Sequence, residues 1–458
     1  MKRMFYGVIV LAVFICLFSS CKKDSKPSEP VGISVASISP DAGPHSTVVK
    51  ISGKNFSETV SGNEVRFNGV LAEVLNASST ELTVKVPKRA GTGKVTVAAA
   101  GKSADGPVFN FKYTVTVSTV AGNGVGLSDG KGNAAKFFRP QQMAFDKDDN
   151  LYVIDQEGRA LRKVLPDGTV STYAGAATAG FADGTGTQAR FNGINDVCVD
   201  RNTNNLYIAE FPGNIFGVNA IRKITPDGNA GKAVTIAGGP DQTNDASSNM
   251  WGHEDNANIR LAKFRGPKAC ATDADGNLYI LDYNNYCIRK MSFGATGVTT
   301  LAGHSGELNY ADGMGTAAKF GSATDIISVD GNLVVADFSN YRMRRIELNG
   351  KVTTLAGDGT SADKDGTGTG AAFAKTAFAA ADKEGNIYVV SGANFNTIRV
   401  ISKSSTVSTV NTNDAVGYKD GNEDEARFSS IMGIAVNSKN ELYVSDYGNS
   451  LIRKVVIE

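Results

Sequence analysis

The stretch Asp446-Tyr447-Gly448-Asn449-Ser450-Leu451-Ile452-Arg453-Lys454 recurs in altered form through residues 114–458 of this 458-residue chain. A second copy reads Asp337-Phe338-Ser339-Asn340-Tyr341-Arg342-Met343-Arg344-Arg345. Each copy links one short alternating strand to a second strand that carries an arginine. Before this stretch, each unit has an Ala-Gly pair, an Asp-Gly pair and a Phe, although substitutions alter the pairs in some units. Six units align in this way, which is typical of a repeat architecture.

The six units predict a six-bladed β-propeller over residues 114–458. Each unit holds about four short strands, and a single sheet of that size cannot bury both faces unless units stack radially. Both quoted stretches resemble the NHL-repeat family, and that resemblance implies the same fold. The last unit stops after its third strand, whereas an unpaired strand at 114–121 precedes the first unit. We therefore predict that this strand joins the last blade and closes the ring, which removes exposed sheet edges.

Residues 33–113 alternate between apolar and polar side chains in short segments such as Glu64-Val65-Arg66-Phe67 and Lys94-Val95-Thr96-Val97. Period-two alternation between turn residues predicts an antiparallel β-sandwich of the immunoglobulin type. The segments 38–44, 51–56 and 65–69 resemble the IPT/TIG family, which implies an interaction or spacer role. The whole chain is therefore predicted to be all-β.

The N-terminus predicts export and lipid anchoring. Lys2 and Arg3 precede an apolar run at 8–18, which is too short to span a bilayer stably. Phe18-Ser19-Ser20-Cys21 resembles a lipobox of bacterial lipoproteins, so 1–20 is predicted to be a signal peptide and Cys21 the lipid attachment site. Residues 21–32 form a polar tether similar to signals for the outer face of the outer membrane. The alternative is an ordinary linker with an inward-facing anchor.

Composition narrows the partners. The chain has 47 Lys and Arg against 46 Asp and Glu, a balance that argues against general nucleic-acid binding. The five cysteines include no C-x-x-C pair, so no structural zinc site is expected. Cys198, Cys270 and Cys287 fall on or near predicted strands and are expected to be buried. We predict no cofactor and a monomeric protein.

Features shared by all blades are predicted to be structural. Asp155/Arg162, Asp282/Arg289, Asp337/Arg344 and Asp446/Arg453 share a spacing of seven residues, Glu210/Arg222 is a stretched version, and Ser391 breaks the series opposite Arg399. We expect a hydrogen-bonded ion pair that fixes each hairpin between the second and third strands. The Asp-Gly and Phe element is expected to be a turn followed by a core anchor.

Candidate ligand-binding residues are therefore sought where the blades differ. The enlarged loop at 211–219 carries Phe211 and Phe216, and the longest inter-blade connection, 239–265, carries Trp251 and His253. Aromatic side chains in polar loops suit carbohydrate or peptide surfaces. The alternative is that these rings only seal their own loops. A second candidate is the hub, where Gln142, Asp196, Lys268 and Thr324 are expected to ring the channel mouth on the face of the long loops, binding a ligand or only water.

Three functions remain open from the sequence. The first is a surface-exposed lipoprotein that binds glycans for a nutrient-uptake system, and the second is a protein–protein scaffold. The third is a metal-dependent lyase or lactonase, as some six-bladed relatives are, for which His253 and His304 are the only propeller histidines. No Ser-His-Asp or Cys-His arrangement is recognisable, so we name no catalytic residue and predict a non-enzymatic binding protein.

Overall fold

The computed structural model describes residues 32–211, 218–239, 252–294, 297–411 and 415–458. Within these ranges the chain is all-β: the regular elements are strands, accompanied by short 3-10 turns. No helix within the described ranges is long and apolar enough to cross a membrane. The all-β prediction is confirmed.

Residues 34–111 form a sandwich of two sheets. The alternating positions of both sheets face one core, in which Val49, Phe67 and Phe109 are fully buried. The first sheet contains, in spatial order, Ser34–Ser39, Val48–Lys54, Glu81–Lys85 and Glu73–Ala77. The second contains Ala42–Gly43, Lys102–Phe111, Gly93–Ala99, Asn63–Phe67 and Val70–Leu71.

Six further sheets follow one another around a channel, and each is a blade whose strands we label a to d from the channel outwards. The inner strands contact their neighbours in sequence, and the first contacts the last. Blades 1 and 2 comprise Pro140–Phe145, Leu151–Asp155, Ala160–Val164 and Thr169–Gly175, then Ile194–Asp200, Asn205–Glu210, Ala220–Asp227 and Ala230–Gly238. Blades 3 and 4 comprise Pro267–Thr272, Leu278–Asp282, Cys287–Ser292 and Gly297–Gly303, then Asp325–Val329, Asn332–Asp337, Arg342–Glu347 and Lys351–Ala356. Blades 5 and 6 comprise Ala379–Ala381, Ile387–Ser391, Thr397–Ile401 and Thr406–Thr409, then Ile431–Val436, Leu442–Asp446, Leu451–Ile457 and Val115–Ala121.

Blade 6 is assembled from both ends of the propeller segment. Val115–Ala121 pairs antiparallel with Leu451–Ile457, in register from Val115 opposite Ile457 to Ala121 opposite Ile452. This is the pairing that the sequence predicted. Because strands of one blade come from distant parts of the chain, the first and last strands cannot separate without breaking a sheet.

Each blade also has an outer edge that the sequence did not predict. The two residues that begin at the Gly of each Asp-Gly pair run antiparallel to strand d, as Gly130–Lys131 does beside Val170 and Thr169. Four other blades have the equivalent pair, and blade 3 has a single bridge between Asn256 and Val298. These segments cover the outer edge of strand d, so the Asp-Gly element is more than a turn.

Steric constraints explain the Gly of the Ala-Gly pair at the end of strand d. Gly175 and Gly303 have φ of 91° and 93°, a region that favours glycine. A Cβ on Gly175 would also lie 2.4 Å from the carbonyl oxygen of Arg159 in the adjacent strand. In blades 1 and 3 the chain therefore turns out of the blade at a residue that has no side chain.

The sandwich is packed directly on the propeller. Tyr113 contacts the apolar cores of both, and the amide and carbonyl of Thr114 exchange 2.9 Å hydrogen bonds with Glu458. Arg89 Nε donates to the carbonyl of Ile457 at 3.0 Å, and Lys88 pairs with Glu458. The sandwich is thus fixed on the propeller face formed by the a–b and c–d turns. We call this the turn face, and the opposite one, with the b–c and d–a connections, the loop face.

Candidate functional site

A fully buried arginine occupies strand c of every blade. All six are 0% exposed: Arg162, Arg222, Arg289, Arg344, Arg399 and Arg453. Five of them pair with the carboxylate at the end of strand b over N···O distances between 2.8 and 3.3 Å. The predicted ion pairs are therefore confirmed. Their burial and repetition assign them to holding the blades together.

The Asp-Gly and Phe element completes the environment of each arginine. The Asp accepts from the second guanidinium nitrogen at 2.6 to 3.0 Å and from a strand-d threonine hydroxyl. The buried Phe lies under the guanidinium, with 5.0 to 5.3 Å between the guanidinium carbon and the ring centroid. The prediction of a core anchor was right for the Phe. The prediction of a simple turn was wrong for the Asp, which is an arginine ligand.

In blade 5 the strand-b acid is missing, and a carboxylate from another position takes its place. Ser391 stands where the other blades have Asp or Glu, and its hydroxyl donates to Asp363 at 2.7 Å. Asp363 in turn pairs with Arg399 at 2.8 Å. The buried cation therefore keeps two carboxylates even though the strand-b acid is lost.

His253 occupies a position that recurs in the other blades. Phe181, Tyr310 and Tyr418 stand two residues before the Asp of their own Asp-Gly pair and lie 4.7 to 5.1 Å from the buried guanidinium. His253 stands at the same position and bonds Thr300 Oγ1 through Nε2 at 3.1 Å, as Tyr310 bonds its own strand-d threonine. Burial, with the charge of Arg289, lowers the pKa of His253. His253 therefore occupies a position of the repeat, and its role in ligand binding stays a prediction.

The metal alternative has no ligand set in the described ranges, where no three His, Cys, Asp or Glu side chains are placed to share an ion. His304 lies in the same blade as His253. Its Nδ1 is 3.1 Å from the carbonyl oxygen of Ser305 and 3.6 Å from Glu307.

A β-bulge decides which hub residues face the channel. In blades 1, 2, 3 and 6 the pairing of strands a and b slips by one residue near the start of strand a. The extra residue changes which side chains point inwards. Gln142 and Asp196 line the channel as predicted, but the residue of blade 4 that joins them is Asp325, not Thr324. Lys268 and Thr324 stand one position earlier and are half-buried on the loop face.

The channel holds a cavity of about 560 Å³. Gln142, Asp196 and Asp325 are 6%, 4% and 2% exposed and lie at its loop-face end. Among the described residues, the rest of the lining comes from strand a and the a–b turns, including Arg201, Asn202, Asp273, Asp330, Asp382, Lys383 and Asn437. The cavity thus opens on the turn face. The prediction of an open mouth on the loop face was wrong for Gln142 and Asp196, which are buried within the channel, whereas Lys268 and Thr324 are half-buried on the loop face.

The carboxyl groups at the end of the cavity join neighbouring blades. Asp196 accepts from the amide of Cys270, and Asp325 from the amide of Ala379, each at 2.7 Å. Burial, with the charge of Asp325, raises the pKa of Asp196 to about 8, and burial raises that of Asp325 to about 6. Burial lowers the pKa of nearby Lys268 to about 8. This end of the channel therefore carries less charge at neutral pH than its residue types suggest.

Five aromatic side chains encircle the loop-face end of the channel, and we call them the collar. Each belongs to a b–c connection and is half-buried: Phe211, Tyr283, Phe338, Phe395 and Tyr447. The corresponding residue of blade 1 is Gln156. The rings lie against the starts of the inner strands. The amides of Phe211 and Tyr283 donate to Gly193 and Gly266, and Phe395 accepts from Ile431.

The collar rings contact one another and basic side chains, and two of these contacts cross a blade boundary. Phe338 and Phe395 stack with centroids 6.3 Å apart and planes inclined by 20°. Lys268 Nζ lies 4.3 Å from the ring centroid of Tyr283, and Lys375 Nζ lies 4.1 Å from that of Phe395. In blade 6 the partner is Arg139 of blade 1, 5.0 Å from the Tyr447 centroid. The collar therefore offers apolar ring surface beside hydrogen-bond donors.

The buried ion pairs hold the collar in place. In blades 3, 4 and 6 the aromatic begins a 3-10 turn, at Tyr283–Asn285, Phe338–Asn340 and Tyr447–Asn449. The Asn that ends each turn donates to the strand-b carboxylate, as Asn285 does to Asp282 at 2.8 Å. Asp282 also binds the buried Arg289 at 3.0 Å. The buried ion pair thus holds the backbone turn that carries the aromatic residue in these three blades.

Of the predicted loop residues, Phe211 joins the collar. A Cβ added to Gly266 of blade 3 would lie 3.3 Å from its ring, and its carbonyl accepts from Asn195 at 2.6 Å. The two enlarged loops were predicted to be neighbours, and their described ends do meet, since Asn219 accepts from the amide of Gly266 at 2.7 Å. Phe216, Trp251 and Cys21 lie outside the described residues.

Residues 34–115 match the IPT/TIG domain model. The N-terminal sandwich is an IPT/TIG domain. The chain also aligns over 278 positions, at 28% identity, with protein SUPPRESSOR OF QUENCHING 1, chloroplastic, from Arabidopsis thaliana. That alignment covers 49% of this chain and 26% of the plant protein, so the chain spans about a quarter of the length of this curated relative.

Solved structures with the same two-part fold come from Bacteroides. A structural genomics protein of unknown function from Bacteroides thetaiotaomicron VPI-5482 has a TM-score of 0.58 at 19% identity, over 94% of this chain and 99% of that one. An auxiliary nutrient binding protein from the same strain has a TM-score of 0.56 at 17% identity, over the same shares. Another auxiliary nutrient binding protein, from Bacteroides ovatus ATCC 8483, has a TM-score of 0.55 at 20% identity, again over 94% and 99%. At these identities the likeness shows the fold alone.

Proposed function

We propose that this protein is a lipid-anchored, surface-exposed outer-membrane protein that binds glycans on the loop face of its propeller and takes no catalytic part. The observation that carries the proposal is the collar of five half-buried aromatic rings around the channel, three of which begin a 3-10 turn. Flat rings held in place bind ligands at a small entropic cost.

The chemistry of the collar suits carbohydrate. The C–H faces of sugar rings pack on aromatic faces, while sugar hydroxyls need donors and acceptors at the ring edges. Around the collar these are Lys268, Lys375, Arg139 and Gln156, which lie within the same ring of loops. Because three of the four are basic, glycans that carry carboxylate or sulfate groups are the preferred class.

Two further points support the proposal. Solved structures that share this fold over 94% of the chain include two named auxiliary nutrient binding proteins. The lipobox-like segment ending at Cys21, and the polar tether after it, would place the sandwich near the membrane. The sandwich contacts the turn face, so the loop face and its collar would point away from the anchor.

The test is affinity electrophoresis of the protein against neutral and acidic polysaccharides, with Tyr283→Ala and Phe338→Ala alongside the wild type. Phe293→Ala is the matched control, because Phe293 is a 47% exposed aromatic on the turn face that stacks on Tyr207. We expect at least one glycan to retard the wild type and Phe293→Ala, and to retard the collar variants about tenfold less, since a lost stacking contact weakens binding by about 1.4 kcal/mol. Retardation of all four proteins alike would contradict the collar site, and retardation by no glycan would favour the protein–protein scaffold.

A further inference from the structure

Two cysteines from different blades meet at the wall of the channel cavity. Cys198 lies in strand a of blade 2 and Cys270 in strand a of blade 3, and both line the cavity. They are free thiols, 8% and 3% exposed, and they belong to one buried apolar cluster. Sequence spacing, with 71 residues between them, gave no sign of this pair.

The contact is fixed by the backbone on both sides. The Cys270 amide donates to Asp196 of blade 2 at 2.7 Å, and the Thr272 hydroxyl donates to the carbonyl of Val199 at 2.9 Å. The Cys270 thiol is 3.5 Å from the carbonyl oxygen of Tyr207, the residue that pairs with Cys198 across strands a and b. The two inner strands are thus held in one register, with both cysteines beside Tyr207.

Cys287 provides an internal contrast. It is also a free thiol and is fully buried, but it lies beside Asp282 and does not line the cavity. Reagents that enter the channel would therefore reach Cys198 and Cys270 before Cys287. Cys198 and Cys270 thus differ from Cys287 because both line the cavity and belong to one buried cluster.

We infer that Cys198 and Cys270 form a reversible disulfide that joins blades 2 and 3 when a small-molecule disulfide enters the channel. The more exposed Cys198 loses its proton, and its sulfur attacks one sulfur of the small disulfide, releasing the other as a thiolate. The Cys270 thiolate then attacks Cys198, breaks the mixed disulfide and releases the second small thiolate. Two electrons pass from the cysteines to the small disulfide, and the two cysteine protons end on the two released thiols.

The surroundings of the two thiols determine how fast the disulfide forms and which strands it joins. Burial raises the pKa of both thiols, so the reaction is slow at neutral pH and faster in alkaline solution, where more thiolate forms. The cross-link would join the inner strands of the two blades whose outer loops are longest. It does not depend on the glycan proposal, because the cavity and the collar lie at different ends of the channel.

The experiment incubates the folded full chain with oxidised glutathione at pH 8.5, then blocks free thiols and maps peptides without reduction. We expect a linked peptide containing Cys198 and Cys270, an unmodified Cys287, and a thermal midpoint several degrees above that of the reduced protein. In Cys270→Ala, the expected product is glutathione retained on Cys198. Glutathione on wild-type Cys198 beside a free Cys270 thiol would overturn the inference. So would a linked peptide that appears only after unfolding in urea.

Discussion

Removal of the Asp363 carboxylate tests whether blade 5 depends on its relocated ion pair. Asp363 Oδ1 accepts from Arg399 at 2.8 Å, from the Ser391 hydroxyl at 2.7 Å and from the Ala374 amide at 3.0 Å. In Asp363→Ala the fully buried Arg399 keeps Asp365 at 2.8 Å and the Ala372 carbonyl at 3.2 Å. The variant therefore loses one of two carboxylates, not both.

The size of the effect follows from burial. Loss of one partner from a fully buried pair costs about 3–5 kcal/mol, and the 27% exposure of the Asp363 side chain and the surviving Asp365 reduce this to about 2–3 kcal/mol. The assay is urea unfolding followed by circular dichroism, with the midpoint compared at unchanged slope. Asp358→Ala removes a half-buried carboxylate from the same loop that accepts, among the described residues, only from Thr360, and is expected to cost less than about 1 kcal/mol.

A second substitution makes the test specific to the arginine. Ser391→Asp in the Asp363→Ala background returns a carboxylate to the end of strand b, where Asp155, Asp282 and Asp446 pair with their own arginines. We expect this double variant to recover at least half of the lost stability. A loss below about 1 kcal/mol in the single variant, or no recovery in the double variant, would refute the reasoning.

The remaining predictions concern the channel and the anchor. Between pH 4 and 8 Asp196 is protonated in the folded protein and ionised in the unfolded chain, so its contribution to stability falls by about 1.4 kcal/mol per pH unit as pH rises. Asp196→Asn should therefore show a shallower loss of thermal midpoint from pH 5 to 8, and an unchanged pH profile would contradict the burial argument. Cys21→Ser should abolish labelling with palmitate and release the protein from the membrane fraction, whereas retained labelling would place the lipid elsewhere. Proteinase K added to intact cells should digest the wild type, and full protection would contradict surface exposure.

The sequence predicted the parts of the fold that repeat. Each blade makes the same contacts, so the pairing of Asp155 with Arg162 is seen again in blades 3, 4 and 6, and chance spacing becomes implausible. The orphan strand at 114–121 could be assigned because a blade with three strands needs a fourth. The sandwich strands were visible because period-two alternation survives in every one of the longer segments.

The features that the sequence did not predict depend on the exact positions of single residues. Alternation alone cannot locate the bulges in blades 1, 2, 3 and 6, so the inward position of blade 4 was assigned to Thr324 rather than to the neighbouring Asp325. His253 appeared unusual only because the recurring residue that covers each buried arginine differs in chemistry from blade to blade. The collar was not predicted because positions shared by the blades were interpreted as structural, and binding residues were sought only where the blades differ. Four of the five collar residues directly follow the strand-b acid, and such shared positions can form one surface when the blades surround an axis.

The most direct test of the central claim is hydrogen–deuterium exchange of the protein with and without a glycan that retards it. A ligand on the collar should slow exchange in the b–c hairpins that begin at Phe211, Tyr283, Phe338 and Tyr447, and leave the a–b turns unchanged. Protection confined to the a–b turns or to the IPT/TIG domain, or the absence of any glycan that binds, would contradict the account.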